Sequence, residues 1–199
     1  MLMLFGRNST FLLVFLFAAA VQAQAPEVVV HETQAEVILD GLANEPDWAQ
    51  TPLLQGFSVF EPNTGIKQLI DARARVMIGR DALYFFVQVD SRGSEIFAPL
   101  STRDQSPGDW VRIQLDPFGT GRRGYEFTVN AAGVLADARI RAGGDQDRAW
   151  DSLFDAAVEQ GPEGWSVELR IPFQSLRFDP KQTVWLAHIF SYSWKNQQA

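Results

Sequence analysis

The side chains best equipped for chemistry fall on alternate positions of three apolar stretches. Trp110, Arg112 and Gln114 alternate with Val111, Ile113 and Leu115. Glu126, Thr128 and Asn130 alternate with Tyr125, Phe127 and Val129. Glu168 and Arg170 alternate with Val167, Leu169 and Ile171. Long planar hydrogen-bonding groups beside an aromatic ring suit a sugar: they read its hydroxyls, while the ring stacks on its C–H face. The same set also reads as a solvated sheet face with cross-strand ion pairs, Arg112 with Glu126 or Glu168.

Trp110 and Trp150 each sit beside an aspartate and border a polar loop, so each is a candidate platform. Trp48, Trp165 and Trp185 fall on the inward phase and are expected in the core. Asp145, Asp147, Asp151 and Asp155 share one loop region. Such oxygen-rich loops can hold calcium. The spacing is not that of an EF-hand, and a solvated acidic loop is the plainer reading.

Catalytic arrangements are poorly supplied. There is no cysteine, and the two histidines are His31 and His188. No nucleophile elbow, phosphate loop or dinucleotide fingerprint occurs. Glu126 and Glu168 could be drawn as a glycosidase pair, but nothing in their spacing prefers them. A haem would need an axial pair such as Met77 with His188.

These residues require strands to position them, and the turn signals supply strands. Val28–Val30 reads as an edge strand, and Val37–Gly41 opens the domain at an Asp40-Gly41 turn. Asn44–Trp48 opens a short helical piece. Phe57–Phe60 reads as a strand before the loop Glu61–Gly65. Arg73–Ile78 and Ala82–Asp90 form a hairpin, with Leu83, Phe85, Val87 and Val89 on one face. Further strands are expected at 110–115, 125–130, 134–140, 156–159, 165–171 and 184–192. Short alternating strands with a turn every 8–12 residues predict an all-β fold, an antiparallel β-sandwich with few short helices.

The chain has 199 residues and a net charge of −7. Residues 1–23 read as an export signal: Arg7, an apolar run Phe11–Ala20, and a small-residue site at Val21-Gln22-Ala23. The apolar run is short for a membrane span. Cleavage after Ala23 would leave 16 basic residues against 24 acidic. An acidic chain argues against nucleic acid as partner. An exported chain without cysteine has no disulfides, so it must rely on its core. The expected organisation is a signal over 1–23, a lead-in over 24–34, the sandwich over 35–192 and a linker or truncated tail over 193–199. The expected location is the periplasm, the outer-membrane periphery or the exterior.

Seven segments in order resemble the family 9 carbohydrate-binding module, in the form found N-terminal to outer-membrane-type barrels. They are Leu39–Trp48, Asp81–Tyr84, Ser101–Asp104, Asp109–Asp116, Tyr125–Asn130, Trp150-Asp151 and Gly164–Phe173. The resemblance spans about residues 33–190. It implies a jelly-roll or DOMON-like sandwich and a non-catalytic role in polysaccharide breakdown, hydrolysis residing in attached or partner domains. It implies a polysaccharide or oligosaccharide ligand, structural calcium, and a neighbouring outer-membrane β-barrel. Characterised members hold a terminal sugar between two tryptophans. The expected sugar-binding residues are Trp110, Trp150, Arg103, Asp109, Arg112, Glu126 and Asn130. The expected calcium ligands are Asp145, Asp147 and Asp151. Two other readings remain beside it: a structural periplasmic domain docked on a barrel, and a haem-binding DOMON-like module.

Overall fold

Alternation decides this architecture. Each strand offers one apolar row, and two such rows bury each other when sheets stack. The computed structural model describes residues 27–57 and 71–195, with the backbone of 11–14. The strand expected at Phe57–Phe60 and the loop after it lie in 58–70, outside the described residues apart from Phe57 itself.

The strands are β1 (Phe11–Val14), β2 (Glu27–Glu32), β3 (Asp71–Ile78), β4 (Ala82–Asp90), β5 (Trp110–Asp116) and β6 (Gly124–Asn130). They continue with β7 (Leu135–Ile140), β8 (Gln146–Asp147), β9 (Asp155–Gly161), β10 (Gly164–Pro172) and β11 (Val184–Tyr192). Two 3-10 turns, Pro46–Gln50 and Phe173–Ser175, are the helical pieces among the described residues. One sheet runs β8-β7-β6-β5-β11 and the other β2-β3-β4-β10-β9. The fold is the all-β sandwich that the turn spacing predicts.

The core lies between the sheets. Leu83, Phe85, Val87, Val111, Ile113, Phe127, Val167 and Leu169 join one buried cluster that takes residues from both. Trp165 and Trp185 belong to it, and Trp48 is buried in a smaller cluster with Met77, Ala82 and Tyr84 on the far side of the second sheet.

That far side is roofed by the chain before β3. The Glu168 carboxylate accepts the backbone N–H groups of Asp40 and Gly41 and the Trp48 indole N–H. Gly41 has φ +86°, and a Cβ there would lie 2.7 Å from the Glu159 nitrogen. Only glycine tolerates both the left-handed conformation and the close approach. Glu168 is therefore not on an open face, as the alternation suggests, but wholly buried.

β1 pairs with Val184–Leu186 of β11 in parallel and with Glu27–Val30 of β2 antiparallel, bridging the two sheets. Phe11–Val14, within the apolar run read as part of an export signal, thus pair as a strand. An apolar segment beside two unpaired strand edges satisfies its backbone in this way.

Candidate functional site

The outer face of the first sheet carries the most varied set of functional groups. Register alignment builds it: Trp110 lies between Tyr192 and Asn130, Arg112 between Phe190 and Thr128, and Gln114 between His188 and Glu126. β11 thus adds His188, Phe190 and Tyr192, of which sequence reasoning names only His188, and that as a haem ligand rather than a member of this face. Their alternation with Ala187 and Ile189 was the available signal.

Glu126 organises this face. Its carboxylate accepts Gln114 Nε2 at 2.8 Å and Gln146 Nε2 at 2.9 Å, and Arg112 Nε lies 3.3 Å away. Arg112 Nε also donates to Thr128 Oγ1 at 3.1 Å. Burial weakens the hold of Arg112 on its proton, partly offset by Glu126. Arg148 donates to Gln146 Oε1 and extends the chain of contacts. At one end the Trp110 and Tyr192 rings stack with centroids 5.2 Å apart. The Arg112 guanidinium lies 4.3 Å over Trp110. At the other end a cleft of about 510 Å³ opens between the loops at Gly121–Gly124 and Ala142–Gly144, with Gln114 and His188 in its wall. Burial lowers the His188 pKa to about 4, so the ring is neutral at pH 7.

The structure gathers Trp110, Arg112 and Glu126 here and places the other expected residues elsewhere. Trp150 packs against Tyr125 and Phe127, with centroids 5.0 and 6.2 Å away. Those rings point into the core, so Trp150 sits on the opposite face of the sheet from Trp110. The two tryptophans do not face one another. Arg103 donates to Asp137 at 2.5 Å and to the Ser152 carbonyl at 2.8 Å, beside Asp151. Burial raises the Asp137 pKa to about 6, against the pull of Arg103.

Asn130 borders Trp110 but is committed to the chain. Its amide donates to the Pro99 and Pro107 carbonyls and its oxygen accepts from Ala132 and Val134. Asp109 is buried, and its carboxylate accepts the N–H groups of Phe97 and Trp194. Burial raises its pKa, partly offset by those two bonds.

The calcium expectation meets a poor fit. Asp147 accepts Arg139 at 2.7 Å and Arg141 at 2.8 Å, and these bonds lower its pKa. Asp151 is exposed beside Arg103, and Asp155 pairs with Arg170. Among the described residues no three acidic or histidine side chains converge as metal ligands. Asp145, Asp147 and Asp151 do not form a calcium cage.

The haem expectation is corrected by the fold. Met77 and His188 lie on the outer faces of opposite sheets, since their neighbours Val76, Ile78, Ala187 and Ile189 fill the core between. They cannot ligate one iron. Glu126 and Glu168 are separated in the same way. Stacked sheets lie about 10 Å apart and these carboxylates point away from each other, outside the roughly 5–10 Å that a glycosidase pair requires.

No protein-family model matches the chain, and no curated protein does. Solved structures do match. A family 9 carbohydrate-binding module from Caldicellulosiruptor kristjanssonii, in complex with cellotriose, is 17% identical with TM-score 0.60. That match covers 85% of this chain and 80% of the other. The same module in complex with glucose has the same identity and score, with 82% of its chain covered. A carbohydrate-binding candidate from Bacteroides uniformis is 14% identical with TM-score 0.65, covering 85% of each chain. The chain has the fold of the family 9 carbohydrate-binding modules.

Proposed function

We propose that this chain is an exported carbohydrate-binding module, non-catalytic in itself, that serves polysaccharide breakdown carried out by attached or partner domains. The observation that carries the reading is the outer face of β5, β6 and β11. There a stacked Trp110–Tyr192 pair stands beside Arg112, Gln114 and Gln146, all anchored on Glu126. Such a face offers both halves of sugar recognition, a ring for the C–H surface and directed groups for hydroxyls. Modules of the same fold from Caldicellulosiruptor hold cellotriose and glucose, which supports a saccharide ligand here.

The test is calorimetric titration with glucose, cello-oligosaccharides and other oligosaccharides, for the chain and for Trp110→Ala. Saturable heat lost in that variant supports the reading. Absence of heat with every saccharide rejects it.

A second reading, docking onto an outer-membrane barrel, draws on one observation. Phe97 and Trp194 are exposed with ring centroids 5.9 Å apart, and Leu100 is 84% exposed. Retention of an outer-membrane partner by the chain, lost on Trp194→Ala, supports it.

A further inference from the structure

The cleft at the far end of the sugar-binding face is an arginine-rich island on an acidic chain. Arg122 and Arg123 line its mouth, both exposed, and neither forms an ion pair among the described residues. The Arg123 guanidinium is steadied 3.8 Å over the Phe118 ring. Arg148 also has no acidic partner among those residues, and its charge reaches Arg112 closely enough to disfavour the charged form.

The carboxylates nearby are turned inward. Asp116 accepts the N–H groups of Phe118, Thr120 and Gly121 and the Thr120 hydroxyl. Glu126 is taken by Arg112, Gln114 and Gln146. Across the cleft Arg139 and Arg141 share Asp147, next to the exposed Asp145. The opposite wall therefore adds no net negative charge. The whole chain carries −7, so this concentration of unpaired arginine runs against its balance.

A neutral glycan would leave Arg122 and Arg123 idle. A guanidinium binds carboxylate and sulfate in bidentate geometry and does so best away from competing acids. From Trp110 to Gln114, at the edge of the cleft, is about 13 Å along the strand. One extended chain of sugar rings can span the aromatic end and the cationic end together.

We propose that the ligand is an anionic glycan, whose carboxylate or sulfate groups enter the cleft between Arg122 and Arg123 while a pyranose ring stacks at Trp110 and Tyr192. This rests on the sugar-binding reading and narrows it to acidic saccharides.

The experiment compares three oligosaccharides of equal length by calorimetry: a galacturonate oligomer, a sulfated oligomer and a neutral cello-oligomer. Each is titrated at 20 and 200 mM NaCl, with polyglutamate as a polyanion that is not a sugar. The chain and Arg122→Gln/Arg123→Gln are compared, with thermal melting to confirm that the variant is folded. The inference expects an acidic oligomer to bind at least tenfold more tightly than the neutral one. That advantage should shrink at the higher salt and disappear in the variant. The galacturonate and sulfate arms decide which group is read. Equal or tighter binding of the neutral oligomer, unaffected by salt and by the variant, overturns this inference and leaves the sugar-binding reading standing. Equal binding of polyglutamate overturns it also, since the cleft would then read charge alone. No binding to any saccharide overturns both.

Discussion

The Trp48 indole N–H donates to the Glu168 carboxylate at 3.1 Å, joining residues 120 positions apart beneath the opening segment of the domain. Glu168 takes its other bonds from the Asp40–Gly41 turn, so one buried side chain pins the roof of the second sheet. Trp48→Phe keeps an aromatic ring but loses the indole N–H, leaving Glu168 short of a donor. The expected loss is roughly 1–3 kcal/mol, read from the urea midpoint. An unchanged midpoint would show that the roof contributes little.

Asp137 and Glu168 make stability depend on pH in an unusual sense. Burial raises both pKa values to about 6 in the folded chain, from 3.8 and 4.5. Between those values the folded state holds more protons than the unfolded state. Their contribution is complete below pH 4 and is lost as pH rises through 6. The shift is worth about 3 kcal/mol at Asp137 and about 2 kcal/mol at Glu168. Urea midpoints between pH 4 and 7.5 should therefore fall less in Asp137→Asn/Glu168→Gln than in the parent chain. Parallel curves would refute the assignment.

The two candidate tryptophans should separate by what their loss does. Trp150→Ala removes a ring packed on Tyr125 and Phe127 and should cost about 3 kcal/mol of stability. Trp110→Ala removes an outer-face ring and should lower sugar affinity about tenfold, with a smaller effect on melting. A variant of Trp150 that melts normally and fails to bind would reverse the two roles.

Asn130→Ala strands two carbonyls and two backbone N–H groups in the loops at 99–107 and 132–134. We expect a loss of roughly 2–4 kcal/mol. Hydrogen exchange should speed at Ala132 and Val134, whose N–H groups it holds. Slow exchange at both in the folded variant would contradict this.

The inward rows were legible because period two writes them directly into the sequence, as at Leu83, Phe85, Val87 and Val89. The outward rows were not. Alternation marks Glu126, Thr128, Asn130 and Glu168 as facing away from the core but says nothing of what lies above them. All four are buried. Asp40 covers Glu168 from 128 residues away, and such contacts leave no local trace. Asn130 did carry a local sign, its position before the Ala131–Gly133 turn, where an amide oxygen caps the returning chain. Pairing Trp110 with Trp150 failed for a similar reason. Both border polar loops, but strand parity alone cannot place a loop residue on one face or the other.

Glu126 has a further consequence for recognition. It holds Arg112, Gln114 and Gln146, long side chains that would each lose roughly 1–2 kcal/mol of rotamer freedom on being fixed. Here that freedom is surrendered when the chain folds, not when a ligand arrives. The face is preorganised, so a glycan bound as proposed would meet groups already aimed. On the proposed function, Glu126 would lower the entropic cost of binding through the side chains it holds.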